Sequence, residues 1–114
     1  MMHLILKFDI HGDVDQSGLE RLRARLSLKK QGRLTDDWDE AFGKRDIQHP
    51  DGGTTKIALY RHADDGSWTV NVSTTETNQI EEEVTALRVE LLRGIAAAGF
   101  RATARDKPTY GAGE

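Results

Sequence analysis

The sequence predicts an α+β domain in which an antiparallel sheet is covered on one side by two helices. Three observations lead there. Ile80, Val84, Leu87, Leu91 and Ile95 recur at steps of three and four, the apolar stripe of an amphipathic helix spanning residues 78–100. Leu4, Leu6, Phe8 and Ile10 alternate with Ile5, Lys7, Asp9 and His11, the period of a half-buried strand. Thr55 to His62 and Ser67 to Thr75 repeat that alternation, with Ile57, Leu59, Trp68, Val70 and Val72 inward, and Ala63-Asp64-Asp65-Gly66 joins them as a hairpin.

Taken in order, the first strand stops at Gly12 to Asp15. Ser17-Gly18-Leu19-Glu20 then has capping-box spacing, and Leu19, Leu22 and Leu26 form the apolar stripe of a first helix running to about Gly32. Arg21, Arg23, Arg25, Lys29, Lys30 and Arg33 make its other faces basic. Residues 34–53 read as a 20-residue insertion. Thr35 is placed to cap a short helix on which Trp38 and Phe42 share one side, and His49-Pro50-Asp51-Gly52-Gly53 is turn chemistry. In the long helix, Thr77 and Asn78 suit the start, Glu81 to Glu83 suit the positive end of the dipole, and Gly99 suits a left-handed stop. Phe100, Ala102 and Ala104 alternate with Arg101, Thr103 and Arg105 as a last strand, and residues 106–114 form a flexible tail.

The order strand, helix, strand, strand, helix, strand with right-handed crossovers implies a ferredoxin-like split βαββαβ sandwich. Its four-stranded antiparallel sheet would have the order 4-1-3-2, with both helices on one face, in a single domain over residues 1–105. This architecture hosts many unrelated functions, so function must come from particular residues.

Composition excludes several classes. There is no cysteine, hence no disulfide, thiolate metal site or thiol nucleophile. No apolar run approaches the ~20 residues of a membrane span, and the N-terminal apolar stretch is short for a signal sequence, so a cytoplasmic protein is expected. A formal charge of -3 gives no global attraction to nucleic acid. There is no Gly-x-Ser-x-Gly elbow, no phosphate-cradling loop and no serine beside a base, which argues against an enzyme and implies no cofactor.

What remains is a non-catalytic binding module. Charge is segregated, with residues 17–33 basic and residues 34–53 acidic. An acidic insertion anchored by aromatics suits recognition of a basic protein partner, with Asp36, Asp37, Trp38, Asp39 and Glu40 as its surface and the polar sheet face beside it. A homodimer through the sheet face or an edge strand is compatible with the same reading. The alternative is a metal or small-ligand site at His11 and His62, which fall at one end of the sheet about 10 Å apart with Asp13, Asp15, Asp64 and Asp65 in the adjoining turns. A second alternative is an RNA-binding sheet using Tyr60, Arg101 and Arg105. Asp13 to Gly18 resembles the opening of an EF-hand calcium loop, but Ala24 stands where the bidentate glutamate belongs.

Overall fold

The computed structural model describes residues 3–30, 40–50, 52–62, 64–75 and 81–105. The chain runs β1 (His3–His11), α1 (Gln16–Leu26), β2 (Lys29–Lys30), β3 (Glu40–Gln48), β4 (Thr54–Arg61), β5 (Trp68–Thr74), α2 (Glu81–Ala97) and β6 (Arg101–Arg105). The four-stranded ferredoxin-like sheet expected from the sequence is not what forms. The sheet has six strands in the order β2-β3-β4-β5-β1-β6, with every neighbouring pair antiparallel.

The two additional strands come from stretches whose alternation is masked. Lys29 and Lys30, read as the basic end of α1, are β2. The helix stops at Leu26 because Ser27 takes a left-handed conformation (φ 58°) and its N–H bonds back to the Arg23 and Ala24 carbonyls. Residues 40–48, read as part of an acidic insertion, form β3, paired along its length with β4. Two features hide this strand. A bulge between Ala41 and Gly43 breaks its register, and the helix-facing position opposite Ile57 is a charged residue, Arg45. Phe42, expected on a short helix, sits in β3 with its ring centroid 5.2 Å from that of Trp68.

The cap of α1 also differs from the capping box. Asp15 supplies it, with Oδ1 accepting from the Gly18 N–H at 2.7 Å, while Ser17 Oγ accepts from Arg21. At the far end of the chain Gly99 (φ 97°) ends α2, and Phe100 N–H returns to the Ile95 carbonyl.

One core lies between the sheet and the two helices. Leu6, Phe8 and Ile10 of β1, Ile57 and Leu59 of β4, and Trp68, Val70 and Val72 of β5 meet Leu19, Leu22 and Leu26 of α1 and Leu91 and Ile95 of α2. The helices touch where Gly94 faces Leu26, a contact closer than any side chain would allow. The other face of the sheet carries the alternate residues and has no element over it among the described residues.

Candidate functional site

The described residues enclose an apolar cleft of about 270 Å3 between the sheet and the first half of α2. It exists because α2 is seated unevenly. Leu91 and Ile95 are fully buried, whereas Leu87 and Val84, one and two turns earlier on the same stripe, remain half exposed. Below them the sheet contributes Ile47 of β3 and Ile5 of β1. Ile5 belongs to the wrong alternation for this role, but the register of β1 against β5 slips between Leu4 and Leu6, and the bulge brings Ile5 to the helix side.

The polar floor of the cleft is a chain of three side chains. His49 Nε2 lies 2.7 Å from Thr55 Oγ1, Thr55 Oγ1 donates to Thr74 Oγ1 at 3.1 Å, and Thr74 Oγ1 donates to the Thr54 carbonyl at 3.3 Å. Thr55 and Thr74 are buried, so their hydroxyls need these partners. A carbonyl has no proton to give, which fixes the direction: Thr74 donates, Thr55 donates to Thr74, and His49 Nε2 must carry the proton that Thr55 accepts. The sequence places His49 here through a tight turn. His49 N–H bonds the Gly53 carbonyl and Gly52 (φ 95°) bonds back to His49, so the imidazole stands beside the first residues of β4.

At the rim stand two carboxylates of α2, Glu83 and Glu90. Glu90 is held by Arg45 NH1 at 2.9 Å, and the same nitrogen lies 3.4 Å from the Leu26 carbonyl, so one inward arginine ties β3 to both helices. No lysine or arginine lines the cleft among the described residues.

The residues singled out from the sequence lie elsewhere. Asp36, Asp37, Trp38 and Asp39 fall outside the described residues, and Glu40 opens β3 opposite Arg61. His11 and His62 do end β1 and follow β4 at the same end of the sheet, with β5 between them. Their rings engage different neighbours: His11 Nε2 is 2.7 Å from Thr103 Oγ1 on β6, and His62 Nε2 is 2.9 Å from Thr69 Oγ1 on β5. Asp13, Asp15 and Asp65 border a second, polar concavity of about 360 Å3 with Arg61 and Trp68. Asp15 is committed to capping α1, and Asp65 Oδ1 accepts from both the N–H and the hydroxyl of Ser67. Those two bonds, with His62 nearby, hold the Asp65 carboxyl below the ordinary aspartate range. Among the described residues no group of three or more His, Asp or Glu side chains is arranged to hold a metal ion. No helix there is long and apolar enough to cross a membrane.

Sequence reasoning missed the cleft. Its one available signal was His49 six residues before Thr55, across a Pro-Asp-Gly-Gly turn, which brings an imidazole and a β-strand hydroxyl together whenever the turn closes a hairpin. No protein-family model matches this sequence, and no curated protein shows significant similarity to it.

Proposed function

We propose that the protein is a small-ligand binding module and that its ligand occupies the cleft between α2 and the sheet. The observation that carries this reading is the combination of half-exposed Ile5, Ile47, Val84 and Leu87 with a single ordered polar chain, His49–Thr55–Thr74, at the floor. Concave, mostly apolar sites with a few converging polar groups are where small molecules bind. The charge of the lining narrows the class. With Glu83 at the rim, Glu90 already paired with Arg45, and no cation among the described lining residues, a neutral or cationic apolar molecule is favoured over a carboxylate or phosphate.

The direction of the polar chain favours binding over catalysis. An activated threonine nucleophile must pass its proton to the histidine, whereas here the Thr55 proton goes to Thr74 and His49 is the donor. In the tautomer with its proton on Nε2, Nδ1 is an acceptor, which suits a ligand bearing an N–H or O–H.

The test is titration of the isotopically labelled protein with phenethylamine, phenethyl alcohol and phenylacetate, followed by amide chemical shifts. Saturable shifts centred on Ile47, Thr55, Thr74 and Leu87, stronger for the amine or alcohol than for the acid and weakened at least about tenfold by Leu87→Arg, are expected. Failure of all three probes to move these amides at millimolar concentration would remove the proposal.

A further inference from the structure

The direction of the polar chain leaves one atom of His49 outside it. Nε2 already carries the proton that Thr55 Oγ1 accepts at 2.7 Å, and Thr55 gives its own to Thr74 at 3.1 Å. A second proton therefore enters at Nδ1 and reverses no bond of the chain. The floor of the cleft keeps its hydrogen bonds when the ring gains charge. What changes is the chemistry that the ring offers, from an acceptor on a neutral heterocycle to a donor on a cation.

His49 is half-buried in the lining, so a charged ring keeps contact with water while its field reaches the cavity. From α2, Glu83 and Glu90 face the same space. Both are exposed at the rim, and Glu90 is bound to Arg45 of β3 at 2.9 Å. Asp46 of β3 lies 3.5 Å from Lys44 and is in register with Lys56 of β4, and the pleat places these three on the other face of the sheet. On β1, His3 stands opposite Thr74, is exposed, and is not among the residues that line the cleft. Strand β5 contributes Thr74 and no titratable group. Histidine is the side-chain type that changes charge between about pH 5 and pH 8. His49 is the one histidine among the described lining residues.

From this juxtaposition we infer that His49 is the specificity-determining residue of the cleft and that the protonation of its ring selects the charge of the ligand. With the ring neutral, Nδ1 accepts from a hydroxyl or an ammonium group, and Glu83 adds to the preference for the amine. With the ring protonated, the cleft repels an ammonium and receives a carboxylate, which accepts from Nδ1–H in a charge-assisted bond. The Thr55–Thr74 chain is the same in both forms, so the selectivity changes without rearrangement of the sheet. The inference rests on the cleft being the ligand site and adds what sets its choice between ligands.

The experiment is calorimetric titration of the full chain with phenethylamine and with phenylacetate between about pH 5.5 and about pH 8, a range in which neither probe changes its own charge. The ratio of acid to amine affinity is expected to rise at least about tenfold on acidification, as one unit charge added within a few ångströms of the ligand requires. Titrations repeated in buffers of different ionisation enthalpy should show proton uptake with the acid and proton release with the amine. His49→Gln keeps an N–H for Thr55 and does not titrate, so its ratio should stay within about twofold over the range. His3→Gln should retain the parent's response. Binding of both probes with an unmoved ratio and no proton exchange overturns the inference and leaves the cleft a ligand site. An equal response in His49→Gln overturns it too, by assigning the charge to another group. Failure of both probes to bind at any pH removes the cleft reading together with the inference. If His49→Gln does not fold, proton exchange in the parent and the nitrogen shifts of its His49 ring decide. Nε2 protonated throughout, with Nδ1 gaining the second proton, is expected, and a neutral ring protonated on Nδ1 overturns the inference.

Discussion

Arg23 Nε donates to the Phe42 carbonyl at 2.7 Å, joining α1 to the point where β3 bulges. The bulge turns Phe42 into the core against Trp68 and leaves its carbonyl out of the regular ladder, so the guanidinium replaces a missing strand partner. Arg23→Met keeps the aliphatic stem and removes the donor. It should cost about 1–3 kcal/mol in urea denaturation, the range for leaving a half-buried carbonyl unpaired. Arg93→Met on exposed α2 should change stability by less than about 0.5 kcal/mol.

Gly94 decides how closely the helices approach. A Cβ there would fall 2.6 Å from Leu26 Cδ2 and 3.0 Å from the Arg25 backbone oxygen. Alanine gains about 1 kcal/mol of helix propensity over glycine. The leucine tip can turn aside, but the carbonyl belongs to α1, and its overlap makes the helices separate at a cost of about 1–3 kcal/mol. Gly94→Ala should therefore lower the denaturation midpoint, and a raised midpoint would show that the helices yield without loss.

Thr55→Val preserves shape and deletes the middle of the polar chain. His49 Nε2–H loses its acceptor and Thr74 loses a donor in a buried setting, a loss of about 1–3 kcal/mol by thermal or urea unfolding. The same variant should shift the His49 ring resonances strongly and leave those of His11, whose partner is Thr103, unchanged.

Asp65 links the β4–β5 turn to pH. Its carboxylate accepts two bonds from Ser67, so its folded pKa lies below the unfolded value of about 3.9. A depressed carboxylate contributes stability that is complete above the unfolded pKa and is lost as pH falls through the folded one. Melting temperature measured from pH 6 to pH 2 should therefore fall less steeply in Asp65→Asn, which keeps an acceptor for Ser67 without the charge, than in the parent below about pH 4. Parallel profiles would exclude this contribution.

The elements with unbroken periods were legible in the sequence. Leu6, Phe8 and Ile10 are buried at alternate positions of β1, and Leu91 and Ile95 lie on the core stripe of α2. Strand β3 was not legible, because its inward positions are occupied by a bulged Phe42 and by Arg45, whose charge is neutralised by Glu90, a residue 45 positions away. Neutralisation at that separation leaves no local signal. Strand β2 was hidden because two lysines after a helix satisfy the dipole as well as they satisfy a ladder. The cleft depends on tertiary facts that no local pattern carries: the tilt of α2 and the slip in β1 at Ile5. In the sequence His49 reads as turn chemistry alone, and His11 and His62 share a sheet end although each ring bonds a different strand.

The position of β1 between β5 and β6 also sets a timetable. Within this sheet the earliest-made strand pairs with the two made latest, and His11 meets Thr103 across 92 positions. Until β5 is made the Leu6, Phe8 and Ile10 strand has no native partner, and its second flank stays open until β6 follows, whereas β3 and β4 can already pair with each other. Such long-range closure slows folding and prolongs the life of an adhesive intermediate. A stop codon before β6 would consequently yield a chain that has translated nearly all of its core yet leaves one flank of its oldest strand open to other nascent chains.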